Sequence, residues 1–249
     1  MSAVQVRRLS HAFDGAPPVD ALSDIELDIR TGEFVSLVGP SGCGKSTLLR
    51  VLAGLLVPSS GEADVRGEST VDKPGLAAYM PQRDLLLPWR RAMDNAILGA
   101  QIAGEPLDEA RRRAAALFPR FGLAGFEKAW PGELSGGMRQ RLALLRTFLL
   151  DRDVLLLDEP FGALDAITRR KMYEWLQEVW LADGRTVLFV THDVEEALYL
   201  SDRVVVLSAR PARVLTELSV DLPRPRPVDV VSEPSFVAAK ARLLSALDS

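Results

Sequence analysis

The sequence predicts an α/β protein with a mainly parallel sheet, and three observations lead to this fold class. Apolar segments of strand length alternate with longer helical segments along most of the chain, which is typical of parallel sheets covered by helices. The region before residue 34 is rich in strand patterns, and the region from about 84 to 135 is mostly helical in character. We therefore expect an N-terminal antiparallel β subdomain, a parallel core and an inserted helical subdomain.

Hydrophobic periodicity predicts the strands in order. Residues 4–6 and 25–29 alternate between apolar and polar side chains, as in strands with one solvated face. Residues 34–38 are apolar apart from one serine and predict a buried strand. Three later apolar segments predict further core strands at 154–157, 186–190 and 204–207.

The predicted helices are the longer segments between these strands. They cover residues 45–56, 137–150 and 166–181. The first should end before Pro58, because proline lacks the N–H that a helix interior needs.

The last 29 residues differ in composition from the rest of the chain. Prolines at positions 223, 225 and 227 predict an extended segment, and one short amphipathic helix follows it. We expect a main domain over residues 1–220, with the helical subdomain inserted at about 84–135, and a Pro-rich extension over residues 221–249.

Composition narrows the possible partners and compartment. The net charge of −4 and the pI of about 5.4 give no general attraction to polyanions, so we expect no nucleic-acid partner. The single cysteine, Cys43, excludes a disulfide within the chain and suits the cytoplasm. The first ten residues do not form a secretory signal, and no apolar stretch approaches the ~18 residues that cross a bilayer. Any membrane role is therefore expected to come through a partner.

The segment GPSGCGKST, residues 39–47, follows a predicted strand and opens a predicted helix. It matches the phosphate-binding P-loop, in which glycines let backbone N–H groups close on a polyphosphate and the helix start adds a positive dipole end. Lys45 would bind the β- and γ-phosphates, and the Ser46 hydroxyl would bind Mg²⁺. Cys43 is a small filler residue or, alternatively, a reactive thiol. The candidate nucleotide-binding residues of this loop are Gly39, Ser41, Gly42, Cys43, Gly44, Lys45, Ser46 and Thr47.

Two adjacent acids end the predicted strand 154–157. Asp158 is a candidate Mg²⁺ ligand, and Glu159 is a candidate base or orienting group for the attacking water. Because neighbouring side chains on a strand face opposite ways, the two must diverge at the turn to share one site.

A third motif places Ser135, Gly136 and Gly137 at the start of a helix. Ser135 can cap that helix, and the glycines leave its first N–H groups open, which makes a second anion site. Alone, the motif is also compatible with an ordinary helix cap.

Together these motifs resemble the ATP-binding cassette (ABC) family of P-loop NTPases. GPSGCGKST, LSGGMRQR, LLLDEPFGALD and the THD at 191–193 correspond in order to its Walker A, signature, Walker B with D-loop, and switch histidine. The resemblance covers about residues 4–215 and implies ATP and Mg²⁺ as ligands. It implies that Gln82 contacts Mg²⁺ and the water, that Phe13 stacks on adenine, and that His192 holds the γ-phosphate and assists Glu159.

The resemblance also implies a head-to-tail homodimer. In this family the signature of one subunit closes over the ATP held by another subunit, so this single cassette would pair with a second copy. Asp165 would lie at that interface.

Further features resemble the ATPase subunits of nitrate, sulfonate and taurine-type importers. These features are the PWR that follows Gln82, the Q-loop glutamine of the family, together with LSGGMRQR, DEPFGALDAITR and the late VDLPRPRP. They imply integral-membrane permease subunits as partners, an extracytoplasmic solute-binding protein acting indirectly, and a peripheral position on the cytoplasmic face of the inner membrane. Residues 85–89, LLLPW, either pack in the core or dock a permease helix. Leu145 and Thr147 depart from the alanine usual in relatives, which bears on local packing.

Three other functions are compatible with parts of the sequence. An export cassette would carry the same motifs, and its co-purifying permease would distinguish it. A cassette acting on DNA or ribosomes would need a coiled-coil insert, a tandem cassette or a basic face. A small-molecule kinase would lack the signature and would release ADP only with an acceptor.

Overall fold

The computed structural model describes residues 1–247, which form two β-sheets with helices around them. The strands are β1 Ser2–Phe13, β2 Val19–Arg30, β3 Phe34–Val38, β4 Ser60–Val65, β5 Glu68–Ser69, β6 Ala78–Met80, β7 Val154–Asp158, β8 Thr186–Val190, β9 Arg203–Leu207 and β10 Val214–Ser219. The α-helices are α1 Lys45–Leu52, α2 Ala92–Ala96, α3 Leu98–Ile102, α4 Leu107–Leu117, α5 Gly136–Phe148, α6 Ala166–Asp183, α7 Val194–Leu200 and α8 Pro234–Leu247. Two 3-10 turns cover Pro131–Glu133 and Val228–Ser232.

The central sheet is mainly parallel, as the sequence predicts. Its strand order is β10-β9-β3-β8-β7-β6, and only the edge pair β10–β9 is antiparallel. Strands β3, β7 and β8 are buried along their whole length. Because parallel strands all end at one edge, the loops after β3, β7 and β8 meet there.

The N-terminal sheet is antiparallel, in the order β2-β1-β4-β5. One hydrophobic cluster fills the space between this sheet, helix α1 and one face of the central sheet. A second cluster covers the opposite face with α5, α6, α7 and α8. The α/β class with an antiparallel N-terminal sheet is therefore confirmed.

The structure corrects several predicted elements. Helix α1 ends at Leu52 rather than at residue 56, because Gly54, which follows the C-cap residue Ala53, adopts φ +72°. A Cβ on Gly54 would lie 2.5 Å from the Lys73 carbonyl oxygen. The sequence patterns also did not predict strand β10 or helix α7. Strand β10 alternates between half-buried and exposed residues at the sheet edge, and α7 spans only Val194–Leu200.

Helices α2, α3 and α4 lie in the segment for which the sequence predicts a helical insertion. Aromatic rings join this segment to the core. The Phe121 ring lies 4.1 Å from the Trp175 ring and 6.2 Å from the Phe148 ring, measured between centroids. Within residues 1–247, none of the helices combines the length and the hydropathy required to span a bilayer.

The Pro-rich extension packs on the core of the main domain. Leu222, Val230, Phe236 and Leu243 are buried in the same cluster as the central strands. The extension thus covers α7, the helix that follows His192.

Arg226 is the main polar anchor of this extension. Its side chain is 2% exposed, and burial lowers its pKa to about 10. The guanidinium donates hydrogen bonds to the main-chain carbonyls of Leu198, Tyr199, Ser201, Val220 and Leu222. Its own main chain pairs with the Gln177 amide at 2.8 and 3.0 Å. Arg226 therefore satisfies the last carbonyls of α7 that the helix itself leaves without donors.

Arg226→Met should lower the free energy of unfolding by at least about 3 kcal/mol, because several buried carbonyls would lose their donor. Urea denaturation measures this as a lower midpoint. Arg242, exposed on α8, provides the matched control, since Arg242→Met should leave the midpoint unchanged. Equal midpoints for the two variants would contradict this role for Arg226.

Candidate nucleotide-binding site

A cavity of about 410 Å³ opens at the carboxyl edge of the central sheet. It brings together residues from distant parts of the sequence. Its lining residues are Phe13, Ala21, Ser41, Gly42, Gly44, Lys45, Ser46, Thr47, Gln82, Glu159, His192 and Arg210. Ten of these are residues that the sequence analysis proposed, and Ala21 and Arg210 are new.

Glycines shape the loop between β3 and α1. Gly42 and Gly44 adopt φ +73° and +133°, which side chains with a Cβ rarely adopt. A Cβ on Gly44 would lie 2.7 Å from the Ala21 carbonyl oxygen, and one on Gly39 would lie 2.9 Å from the Leu207 carbonyl oxygen. Gly39 therefore packs the loop against β9, and Gly42 and Gly44 face the cavity.

Lys45 is held by the loop that it follows. Its Nζ donates to the carbonyl oxygens of Gly39 at 2.7 Å and Pro40 at 2.8 Å, and the residue is 6% exposed. The ammonium is thus placed at the cavity wall with its position fixed by main-chain acceptors. Cys43 is buried, with Sγ 3.8 Å from the same Nζ, and it belongs to the hydrophobic cluster below the loop. This favours the filler interpretation of Cys43 over a reactive thiol.

Asp158 lies below the cavity, at the end of β7, and is 2% exposed. Burial raises the pKa of its carboxyl group, while the neighbouring Ser46 hydroxyl, Arg50 and Lys45 act in the opposite direction. Its Oδ1 is buried without a hydrogen-bond partner among the described residues. A buried carboxylate oxygen without a donor, next to a serine hydroxyl, fits a hard cation such as Mg²⁺.

Glu159 departs from the direction of β7 and lines the cavity, which explains how adjacent residues at a strand end can serve one site. Its backbone adopts φ +48°, and its N–H donates to the Val190 carbonyl at 2.9 Å. The carboxylate Oε2 accepts from Gln82 Nε2 at 3.2 Å and lies 3.3 Å from His192 Nδ1. The structure therefore joins three predicted residues in one polar cluster.

The loop that carries Gln82 is fastened to helix α5. Arg139 Nε donates to Asp84 Oδ2 at 3.1 Å, and Arg146 donates to the carbonyls of Asp84 at 2.7 Å and Leu85 at 2.9 Å. From the same helix, Gln140 Nε2 donates to the Glu159 carbonyl at 3.4 Å. Helix α5 is thus linked to two of the three residues of the polar cluster.

Helix α7 fixes the loop that carries His192. The Asp193 carboxylate caps this helix by accepting from the N–H groups of Glu195 at 2.8 Å and Glu196 at 3.2 Å. Arg169 lies 3.6 Å from the same carboxylate. Burial raises the pKa of Glu196 to about 7. His192 itself remains largely exposed beside the cavity.

The signature residues lie apart from this cavity. Ser135 caps α5 by accepting from the Met138 N–H at 3.2 Å, and Ser135 and Gly136 are exposed. Gly137 packs near Leu164. Ser135, Gly136 and Gly137 are absent from the cavity lining. Asp165 is also exposed and caps α6 through the N–H groups of Ile167 and Thr168.

Residues 85–89 divide between core and surface. Leu86 packs against the main hydrophobic cluster, whereas Leu85 and Trp89 are 54% and 71% exposed. The buried Asn95 holds this loop, since its amide pairs with the Leu87 N–H at 2.8 Å and with the Arg90 carbonyl at 2.9 Å.

Two residues that line the cavity, Ala21 and Arg210, were not predicted from the sequence. Ala21 carries no recognisable chemical signal. Arg210 belongs to the polar turn SARPAR, about 170 residues after the P-loop. It contacts Gly42 because β9, which precedes this turn, lies next to β3, which precedes the P-loop.

Comparison with known proteins agrees with this geometry. The ABC transporter family profile matches residues 22–162. The aliphatic sulfonates import ATP-binding protein SsuB 1 of Rhodococcus jostii is 51% identical over 82% of this chain and 79% of its own length. SsuB 2 of Nocardia farcinica, with the same description, is 47% identical over 98% of this chain and 94% of its own. A dimeric, post-hydrolysis structure of the ATP-binding cassette MJ0796 with ADP and phosphate superposes with TM-score 0.80 at 28% identity. It covers 88% of this chain and 100% of MJ0796.

The family assignment follows from the combination of fold, site and relatives. The profile covers the P-loop, the signature and both acids, and the relatives extend over most of the chain. This protein belongs to the ABC transporter family and is an ATP-binding, ATP-hydrolysing member of it.

Proposed function

We propose that this chain is the ATPase subunit of an ABC importer and that the cavity below Phe13 is its ATP site. The cluster of Glu159, Gln82 and His192 opposite the P-loop carries this proposal. It places a carboxylate, an amide and an imidazole where the terminal phosphate of a bound nucleotide would lie.

Each lining residue then has a role in binding ATP. Phe13 is partly exposed at the cavity edge and would stack on adenine. The loop N–H groups and the start of α1, which includes Thr47, would bind the phosphates. Lys45 would exchange its carbonyl partners for the β- and γ-phosphate oxygens.

Hydrolysis requires a positioned water molecule. Glu159 would orient this water or accept a proton from it. The water oxygen would attack the γ-phosphorus while the bond between that phosphorus and the ADP oxygen breaks. His192 would hold the γ-phosphate and keep Glu159 in place. Ser46, Gln82 and Asp158 would hold Mg²⁺, which when bound neutralises charge on the β- and γ-phosphates.

Glu159→Gln should reduce ATP hydrolysis by ~10²–10⁴-fold and leave ATP binding intact, because the amide cannot accept the proton while the P-loop is unchanged. Phosphate release at saturating Mg·ATP measures the first effect, and calorimetric titration measures the second. Glu174→Gln on α6 is a matched control for the loss of one surface carboxylate. Turnover equal to that of wild type would contradict the role of Glu159.

The separation of the signature from the cavity supports a head-to-tail homodimer. Ser135 and Gly136 are exposed and lie outside the cavity, so the N-terminal N–H groups of α5 can bind an anion. That anion would not be the nucleotide in the cavity of the same chain. A second copy would bring its Ser135, Gly136 and Gly137 over this ATP. Exposed Asp165 is available to the same interface.

Ser135→Arg should abolish ATP-dependent dimerisation and preserve ATP binding by the monomer, because a large cation would fill the space facing the second copy. Light scattering of the two proteins with Mg·ATP distinguishes the two masses. In this test Ser232→Arg, in a distant turn, is the control. Normal dimerisation of Ser135→Arg would refute the sandwich arrangement.

A groove on the helical segment supports docking of membrane permease subunits. It measures about 320 Å³. Its lining residues are Trp89, Arg90, Arg91, Asp94, Ile97, Gln101, Leu107, Arg111 and Trp130. The exposed Trp89 ring and the Arg91–Trp130 stack, 4.4 Å from guanidinium to ring centre, suit an amphipathic helix with apolar and acidic residues. The protein would thus sit peripherally on the cytoplasmic face of the inner membrane.

The relatives favour aliphatic sulfonates as the transported class. Nitrate and taurine also carry an anionic group, and the likeness to aliphatic sulfonate import proteins favours sulfonates over nitrate. An extracytoplasmic solute-binding protein would deliver it, and the permease would determine selectivity.

The complete complex, isolated with its permease and receptor and placed in vesicles, should import radiolabelled alkanesulfonate when Mg·ATP is supplied on the cassette side. Uptake should exceed that of nitrate at equal concentration. Trp89→Ala should reduce uptake, because the docking groove would lose its largest apolar surface. Uptake of nitrate alone, or solute efflux, would contradict the proposed sulfonate importer.

A further inference from the structure

Arg210 contacts the P-loop from the turn between β9 and β10. Its Nε and Nη2 donate to the Gly42 carbonyl oxygen at 3.0 and 2.5 Å. Its side chain is exposed and lines the cavity with Phe13 and Lys45. Arg210 lies outside the P-loop, the signature, the segment of the two acids and the THD at 191–193.

The turn that carries Arg210 is anchored at the Ala21 end of the cavity. Ala212 N–H donates to the Ala21 carbonyl at 3.0 Å, and Ser23 N–H donates to the Ala212 carbonyl at 2.9 Å. Within the turn, the Ser208 hydroxyl donates to the Ala209 carbonyl at 2.8 Å and accepts from the Arg213 N–H at 2.9 Å. The turn that carries Arg210 is therefore tied to Ala21 on β2, the strand that pairs with the Phe13 end of β1.

The charge of Arg210 has no carboxylate partner among residues 1–247 that the structure describes. Guanidinium carries five N–H donors, and the Gly42 carbonyl takes only two of them. The remaining N–H donors can bind an anion, and Arg210 lines the cavity in which the polyphosphate of ATP is proposed to bind. Such a group binds phosphate or ribose oxygens through charge-assisted hydrogen bonds.

We propose that Arg210 is a nucleotide-binding residue that contacts the part common to ATP and ADP, at the ribose and α-phosphate. The Gly42 carbonyl holds the guanidinium in position for this contact. This inference rests on the proposed ATP site and adds to it a residue outside the family motifs.

The test is calorimetric titration of ADP and of the non-hydrolysable β,γ-imido analogue of ATP into wild type and variants. Arg210→Ala should weaken binding of both nucleotides by the same ~5–20-fold, because the lost contact lies on the part that they share. Arg213→Ala removes an exposed arginine from the same turn and should stay within about twofold of wild type.

Two further variants separate a charge contact from a simple brace on the loop. Arg210→Lys keeps the charge without the two-donor contact to Gly42 and should recover part of the affinity, whereas Arg210→Gln keeps a donor for Gly42 but should bind as weakly as Arg210→Ala. The difference between wild type and Arg210→Ala should also shrink between about 50 and 500 mM salt.

Three outcomes would overturn the inference. They are an ADP affinity of Arg210→Ala within about twofold of wild type, a loss confined to the ATP analogue, and recovery by Gln equal to that by Lys. If wild type bound neither nucleotide, the ATP site itself would be refuted, and Arg210 with it.

Discussion

The backbone of Glu159 is the constraint on which the site depends. A residue that continued β7 would point away from Asp158, but φ +48° turns Glu159 into the cavity. A non-glycine residue in this region costs on the order of 1–3 kcal/mol. The Val190 carbonyl bond and the contacts with Gln82 and His192 offset that cost. Glu159 is thus held where β7, the Gln82 loop and the His192 loop meet.

Helix α5 gives this cluster a mechanical connection to the signature. Ser135 caps the helix, Gln140 contacts the Glu159 carbonyl, and Arg146 holds the loop of Gln82 at Asp84. A ligand bound at the exposed start of α5 would therefore act on the same rigid element that positions the cluster of the same chain. In a head-to-tail dimer, each ATP would touch the P-loop of one copy and α5 of the other, which couples the two sites.

Most of the site could be predicted from sequence because its residues occur in short motifs at strand ends. The P-loop, Asp158 and Glu159 need only the β3 and β7 patterns to be placed. Arg210 could not be found this way, because its contact with Gly42 depends on the pairing of β9 with β3 and on a turn anchored to Ala21. The packing of Arg226 against α7 could not be predicted either, because the composition of a proline-rich segment does not indicate which element it packs on.

The proposed dimer encloses one nucleotide between the P-loop of one copy and the signature of another. Its most direct test mixes two single variants, Ser41→Cys and Ser135→Cys, that carry different tags, and treats them with a short thiol cross-linker. The native Cys43 is buried and should contribute little background. The head-to-tail arrangement predicts a mixed cross-linked dimer that forms with the β,γ-imido analogue of ATP and is lost without nucleotide. No mixed product, or the same yield without nucleotide, would contradict it.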